Sequence, residues 1–159
     1  MFKILLATDG SSYSFKAADY VAEMFHNRGD AEITVLYVEE LNPMLLSPTS
    51  AASMPPMPIP SSQVRDALVA IGEHLEKERT AVLEATAGRF VGFGGRVGSR
   101  SAQGKPGDTI CDIAERENFN LVVVGSSGKG RVSRAFLGSV SYKVVNQARV
   151  PVLVVRGKE

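Results

Sequence analysis

A single cysteine, Cys111, leaves this chain without a partner for an internal disulfide and fits a reducing compartment. Histidine is nearly as scarce. His26 falls near the end of the first helical pattern, and His74 lies among Glu73, Glu76, Lys77 and Glu78. Neither has a nucleophile or metal partner in sequence, and no cluster has zinc spacing, so both read as surface residues and no catalytic residue is assigned. An excess of charge is also missing. Eighteen basic against seventeen acidic residues leave a formal charge of +1, so no global field draws the chain to nucleic acid or anionic lipid. No apolar run approaches transmembrane length, and the one at the N-terminus meets Asp9 too early to serve as a signal peptide. The expectation is a cytoplasmic protein with no nucleic-acid or membrane partner. At 159 residues, 44% hydrophobic and 22% charged, the chain has the size and composition of one globular domain, 1–159.

What is present alternates. Phe2–Thr8, Ile33–Val38, Leu121–Val124 and Val150–Val155 are short runs of Val, Ile and Leu. Continuous rather than alternating hydrophobicity indicates strands covered on both faces. Between them lie helical stripes. Phe15, Ala18, Ala22 and Phe25 mark one helix, with Ser11 or Ser12 as its N-cap. Val64, Leu68, Ile71, Leu75 and Val82 mark a second, over Ser62–Ala87. Ile110, Ile113 and Ala114 mark a third that Pro106 can open, and Leu137, Val140 and Val144 a fourth. A weaker strand, Arg96–Ser101, separates the second and third helices. The order β-α-β-α-β-α-β-α-β predicts an open five-stranded parallel sheet with helices on both faces, a doubly wound, Rossmann-like α/β sandwich. Ligands in such folds sit at the carboxyl ends of the strands, so function belongs to the loops beginning at Thr8, Val38 and Val124.

Two loops stand out. Between Glu39 and Ser62 lie six of the eight prolines and three of the five methionines, with no charge from Glu40 to Arg65. This 39–62 loop is either a Pro-rich connector or a lid or partner surface. The second, residues 88–98, carries five glycines that end the long helix and permit a turn.

The stretch GSSGKGRVSRAFLGS, 125–139, follows the strand at 121–124. Its glycines let the main chain turn and let a ligand approach it closely. A helix begins near Gly138, and the amides and positive dipole end there favour a phosphate. Lys129, Arg131 and Arg134 add positive charge, with no carboxylate between Asn120 and Glu159. The stretch therefore reads as an anion-binding loop, the alternative being glycines that only form turns and a cap. It is not a P-loop, because Arg131 and Val132 stand where Lys and Ser or Thr are needed. Nor is it the dinucleotide fingerprint, because Ser133 replaces the third glycine. Asp9, before Gly10-Ser11, is either a turn and capping residue or a ligand contact. A phospho-acceptor role is excluded, since the end of the third strand offers no aspartate.

Gly125, two residues, Gly128, nine residues, then Gly138-Ser139 resembles the ATP-binding signature of the universal stress protein family. ILLATDGS after the first strand and ARVPVLVVR at the last are similar to that family too. The resemblance spans nearly the whole chain. It implies that Ala7, Thr8 and Asp9 touch adenosine, that Val38 offers main-chain groups to adenine, and that Val124 and Gly125 line the base and ribose side. Ser127, Gly128, Gly138, Ser139, Val140 and Ser141 would hold ribose and phosphates. The implied function is an ATP-binding stress-response regulator, with Mg²⁺ or Mn²⁺ carried on the phosphates. A slow metal-assisted ATPase and a dimeric scaffold that binds no nucleotide remain as alternatives. Val150–Val155 falls at a sheet edge in this topology, and pairing with its own copy would satisfy the edge by two-fold symmetry. The resemblance implies the same homodimer.

Overall fold

The computed structural model describes residues 1–40, 61–127 and 137–156, with Ser61, Ser62 and Val64 described in the main chain only. The 41–60 part of the Pro-rich loop, Gly128 and the cations Lys129, Arg131 and Arg134 lie outside the described residues. In chain order the elements are β1 (Phe2–Thr8), α1 (Ser12–Met24), β2 (Ala31–Glu39), α2 (Ser61–Ala87), a 3-10 turn (Gly88–Phe90) and β3 (Arg96–Gln103). There follow α3 (Pro106–Arg116), β4 (Leu121–Gly125), α4 (Ser139–Gln147) and β5 (Val152–Val155). All the strand pairings are parallel, in the order β3-β2-β1-β4-β5. This is the doubly wound α/β sheet expected from the alternation of elements. The chain winds one way from β1 to β3 and the other way from β4 to β5, so the switch lies between β1 and β4.

Two cores explain why the strand runs are continuous. Ile4, Leu6, Ile33, Val35 and Val123 bury one face against Ala17, Ala18, Val21 and Phe25 of α1 and against Phe90. Leu5, Leu36, Val122 and Val124 bury the other against Ile110, Ile113 and Ala114 of α3 and Val144 of α4. Neighbouring residues such as Ile4 and Leu5, or Val122 and Val123, thus serve opposite cores.

The helix ends follow local chemistry. Ser11, in extended geometry, caps α1 by accepting the Ser14 N–H at 3.2 Å on its hydroxyl oxygen. Pro106 opens α3, with Asp108 in the first turn and Arg116 in the last, each at the end of the dipole that favours it. β5 begins at Val152 rather than Val150, because Pro151 has no N–H to give the ladder.

The stripe on α2 departs from the core face its spacing suggests. Leu68, Ile71 and Leu75 are 55%, 42% and 41% exposed. The helix reaches the level of the sheet only near its end, where Arg79 meets Glu39 at 3.6 Å and Thr86 is fully buried against Thr8. Its earlier turns stand beyond the carboxyl ends of the strands. An apolar stripe identifies one face of a helix but not what covers it.

Candidate functional site

A cavity of about 310 Å³ opens at the carboxyl ends of β1, β2 and β4, beside the switch point. Ala7, Thr8, Asp9, Val38, Val124, Gly125, Ser127, Gly138, Ser139, Val140 and Ser141 all line it. These are the site residues named from the sequence, apart from Gly128, which lies outside the described residues. Four segments far apart in the chain therefore meet at one surface.

One wall is apolar. Ala7, Leu36, Val38, Ile110, Val124 and Val140 surround the space between the sheet and α3. A flat aromatic group fits such a slot, because its faces need only dispersion and loss of water. The opposite end is polar. Gly138 caps α4 without a side-chain hydrogen bond, and the first turn of that helix, with the N–H groups of Ser139, Val140 and Ser141 that a helix leaves without intrahelical partners, lines the cavity. The first main-chain bond closed within the helix is Tyr142 N–H to the Gly138 carbonyl, at 2.8 Å. With the helix dipole behind them, these amides form a site for a negatively charged group.

The loops are held firmly in place. The Gly138 N–H donates to the Ser126 carbonyl at 2.8 Å, and the Ser126 N–H donates to the Val155 carbonyl at 2.9 Å. The Ser141 hydroxyl lies 3.0 Å from the carbonyl oxygens of both Ser126 and Gly138, so it ties the end of β4 to the start of α4. Lys143 pairs with Asp108 at 2.6 Å and joins α4 to the first turn of α3. On the other side, Asp9 Oδ1 accepts the Ser11 N–H at 3.0 Å, an Asx turn. Asp9 is therefore a turn residue, with Ser11 as the cap, and it lines the cavity as well. Gly10, at φ +77°, makes the turn that carries it.

Ser14, Leu36, Pro106 and Ile110 also line the cavity and were not among the site residues named from the sequence. Leu36 lies two residues before Val38, on the same side of β2, so the period of a strand could have found it. Pro106 and Ile110 lie one helical turn apart at the start of α3. Only the three-dimensional fold brings that helix to the site. Among the described residues no group of three or more His, Cys, Asp or Glu side chains is placed to hold a metal ion. Nor is any helix among them long and apolar enough to cross a membrane.

Fold and cavity together define a doubly wound α/β domain with an apolar slot and a helix start at its switch point. Comparison with known proteins gives the family. The universal stress protein family model matches residues 1–156, and the chain belongs to that family. A universal stress protein of Thermus aquaticus is 34% identical over 157 residues, covering 98% of this chain and all of that protein. Among solved structures, a protein of Methanocaldococcus jannaschii superposes with a TM-score of 0.75 at 25% identity, over 99% of this chain and 96% of the other. An Arabidopsis thaliana universal stress protein family member, solved with AMP bound, gives a TM-score of 0.67 at 21% identity, over 99% and 93%.

Proposed function

We propose that this chain is an ATP-binding stress-response regulator that works as a homodimer in the reducing cytoplasm, its single domain holding the nucleotide in the switch-point cavity. The observation that carries this reading is the convergence of β1, β2, β4 and the start of α4 on one cavity, apolar at one end and rich in main-chain donors at the other. Adenine takes the slot bounded by Val38, Val124 and Ile110, with the Val38 main chain reading its edge. Ribose and phosphates lie over Gly125, Ser127 and the first turn of α4. The sequence signature adds Gly128 to the phosphate contacts, and a divalent ion arrives on the phosphates themselves. The AMP found in the Arabidopsis relative supports an adenine nucleotide for this fold. Titration calorimetry with ATP, ADP and AMP tests the reading. Saturable binding of ATP is expected, and a flat titration with all three would overturn it.

Dimerisation rests on the β5 edge. The Pro151 carbonyl accepts from Val122 of β4 and the Val155 carbonyl from Ser126 just after it, so the main-chain groups of Val152 and Val154, which alternate with them, face the open side. Apolar side chains flank that edge on both faces of the sheet. On α1, Tyr20 and Met24 are exposed on the flank opposite Phe15 and Asp19, the two residues engaged by Arg89. On α4, Val145 is exposed on the flank opposite Lys143, the residue paired with α3. Such a rim around an unpaired strand suits a second copy of the same chain. Sedimentation of the wild type at micromolar concentration should give a dimer. Met24→Glu with Val145→Glu, both at exposed positions, should shift it toward monomer, and a monomeric wild type would rule the dimer out.

A further inference from the structure

At the end of β1 three hydroxyls are gathered, those of Thr8 and Ser14, which also line the cavity, and that of Thr86, which does not. Thr8 Oγ1 lies 3.0 Å from Thr86 Oγ1 and 3.1 Å from Ser14 Oγ, and it accepts the Gly10 N–H at 3.3 Å. The protons can be assigned from these contacts. Thr86 donates its hydroxyl to the Val82 carbonyl at 2.7 Å, and Ser14 donates its own to the Ser11 carbonyl at 2.9 Å. Thr8 is left as the donor to Thr86 or Ser14, with its oxygen free to accept from Gly10. All three side chains are buried, and Thr86, fully buried and away from the cavity, cannot turn to water if a partner is lost.

Thr86 is the member of this set that comes from a distant part of the chain, 78 positions after Thr8. One turn earlier on the same helix, Val82 fills the space beside Gly10: a Cβ there would lie 2.7 Å from Val82 Cγ2. The end of α2 therefore braces the Thr8-Asp9-Gly10 turn by a hydrogen bond and by a steric wall. That turn presents Asp9 to the cavity. We propose that Thr86 is a positioning residue for the nucleotide: through Thr8 it fixes the Gly10 amide and with it the Asp9 side of the pocket. The proposal rests on the ATP-binding reading of the cavity.

The test compares the wild type with Thr86→Val, Thr86→Ala and Thr86→Ser. Amide exchange at Gly10 is followed by NMR in the ligand-free protein, normalised to the buried strand amide of Val35, and ATP affinity is measured by calorimetry. Thr86→Val and Thr86→Ala should speed exchange at Gly10 several-fold relative to Val35 and weaken ATP roughly three- to tenfold, the size of one neutral hydrogen bond. Thr86→Ser, which keeps the hydroxyl, should restore both. A merely structural role would change Gly10 and Val35 together and leave affinity unchanged in folded protein. Unchanged relative exchange at Gly10, or loosened Gly10 with wild-type affinity, overturns the proposal. Failure of the pocket reading is separately visible, as a wild type that binds no ATP while the Gly10 amide still responds to Thr86.

Discussion

Adding one methyl group at Gly125 tests the packing of the site. An alanine Cβ there would lie 2.8 Å from the Tyr13 carbonyl carbon, 2.9 Å from its oxygen and 3.0 Å from the Ser14 nitrogen. These are main-chain atoms of the first turn of α1, held by the Ser11 cap, so no rotamer change can make room. Carbon atoms in contact sit at about 3.5–4.0 Å, so the turn would have to move away from β4 by roughly 0.7 Å or more. Overpacking of this kind costs about 2 kcal/mol, which in a chain of this length lowers Tm by roughly 4–8 °C. Gly98 is the matched control, since a Cβ on it meets nothing within 4 Å. Gly98→Ala should be neutral or stabilise by about 0.5 kcal/mol through reduced unfolded-state entropy. Urea unfolding with a shared slope, together with scanning calorimetry, measures both variants. Gly125 and Ser14 both line the cavity, so Gly125→Ala should also weaken ATP binding while Gly98→Ala leaves it unchanged. If Gly125→Ala unfolds at the wild-type midpoint, β4 and α1 are not packed as tightly as this reasoning requires.

Gly10→Ala should cost more than the ~1 kcal/mol expected from its positive φ alone, because its Cβ also meets Val82. Val82→Ala in the same chain should restore the steric part and leave the backbone part, so a strictly additive double variant in urea unfolding would refute the contact. Burial, with Asp108 and Asp112 nearby, pushes the Cys111 thiol above its ordinary value. Since the thiolate is the reactive form, alkylation by iodoacetamide at pH 8.5 should run slower than for a cysteine peptide and accelerate at higher pH; peptide-like rates would contradict the burial. His74→Ala should leave ATP affinity unchanged in calorimetry, since His74 is exposed on α2 and does not line the cavity.

The parts of this molecule that were legible in its sequence share one property: their signal is local. Four apolar runs read as doubly covered strands because neighbours such as Leu5 and Leu6 feed opposite cores, which removes the alternation a half-exposed strand would show. Ser11 declared the start of α1 and Pro106 the start of α3 through the chemistry of unpaired amides, which depends on nothing distant. Even the weak strand β3 emerged, although its arginines and serines suit an exposed edge better than a core. The loops that begin at Thr8, Val38 and Val124 followed from topology, because every parallel strand delivers its carboxyl end to the same rim, while the individual residues came with the family resemblance.

What escaped the sequence depends on long-range placement. Leu68, Ile71 and Leu75 have the spacing of a buried stripe, and no local rule says that α2 meets the sheet only in its last turns. Ile110 shares its periodicity with Ile113, yet Ile110 lines the cavity and Ile113 does not. Thr86 is the strongest case. A threonine near the end of a long helix is unremarkable in sequence, since Thr can bond back to the carbonyl one turn earlier, as Thr86 does to Val82. Its oxygen also lies 3.0 Å from that of Thr8, so a residue that looks self-satisfied becomes the link between α2 and the turn carrying Asp9. The double variant Thr8→Val with Thr86→Val measures that link directly. If the two hydroxyls act as one unit, the second substitution should add little to the loss of stability from the first, a coupling of about 0.5–1.5 kcal/mol. Additive losses in urea unfolding would mean that each threonine serves only its other partner, Ser14 for Thr8 and Val82 for Thr86.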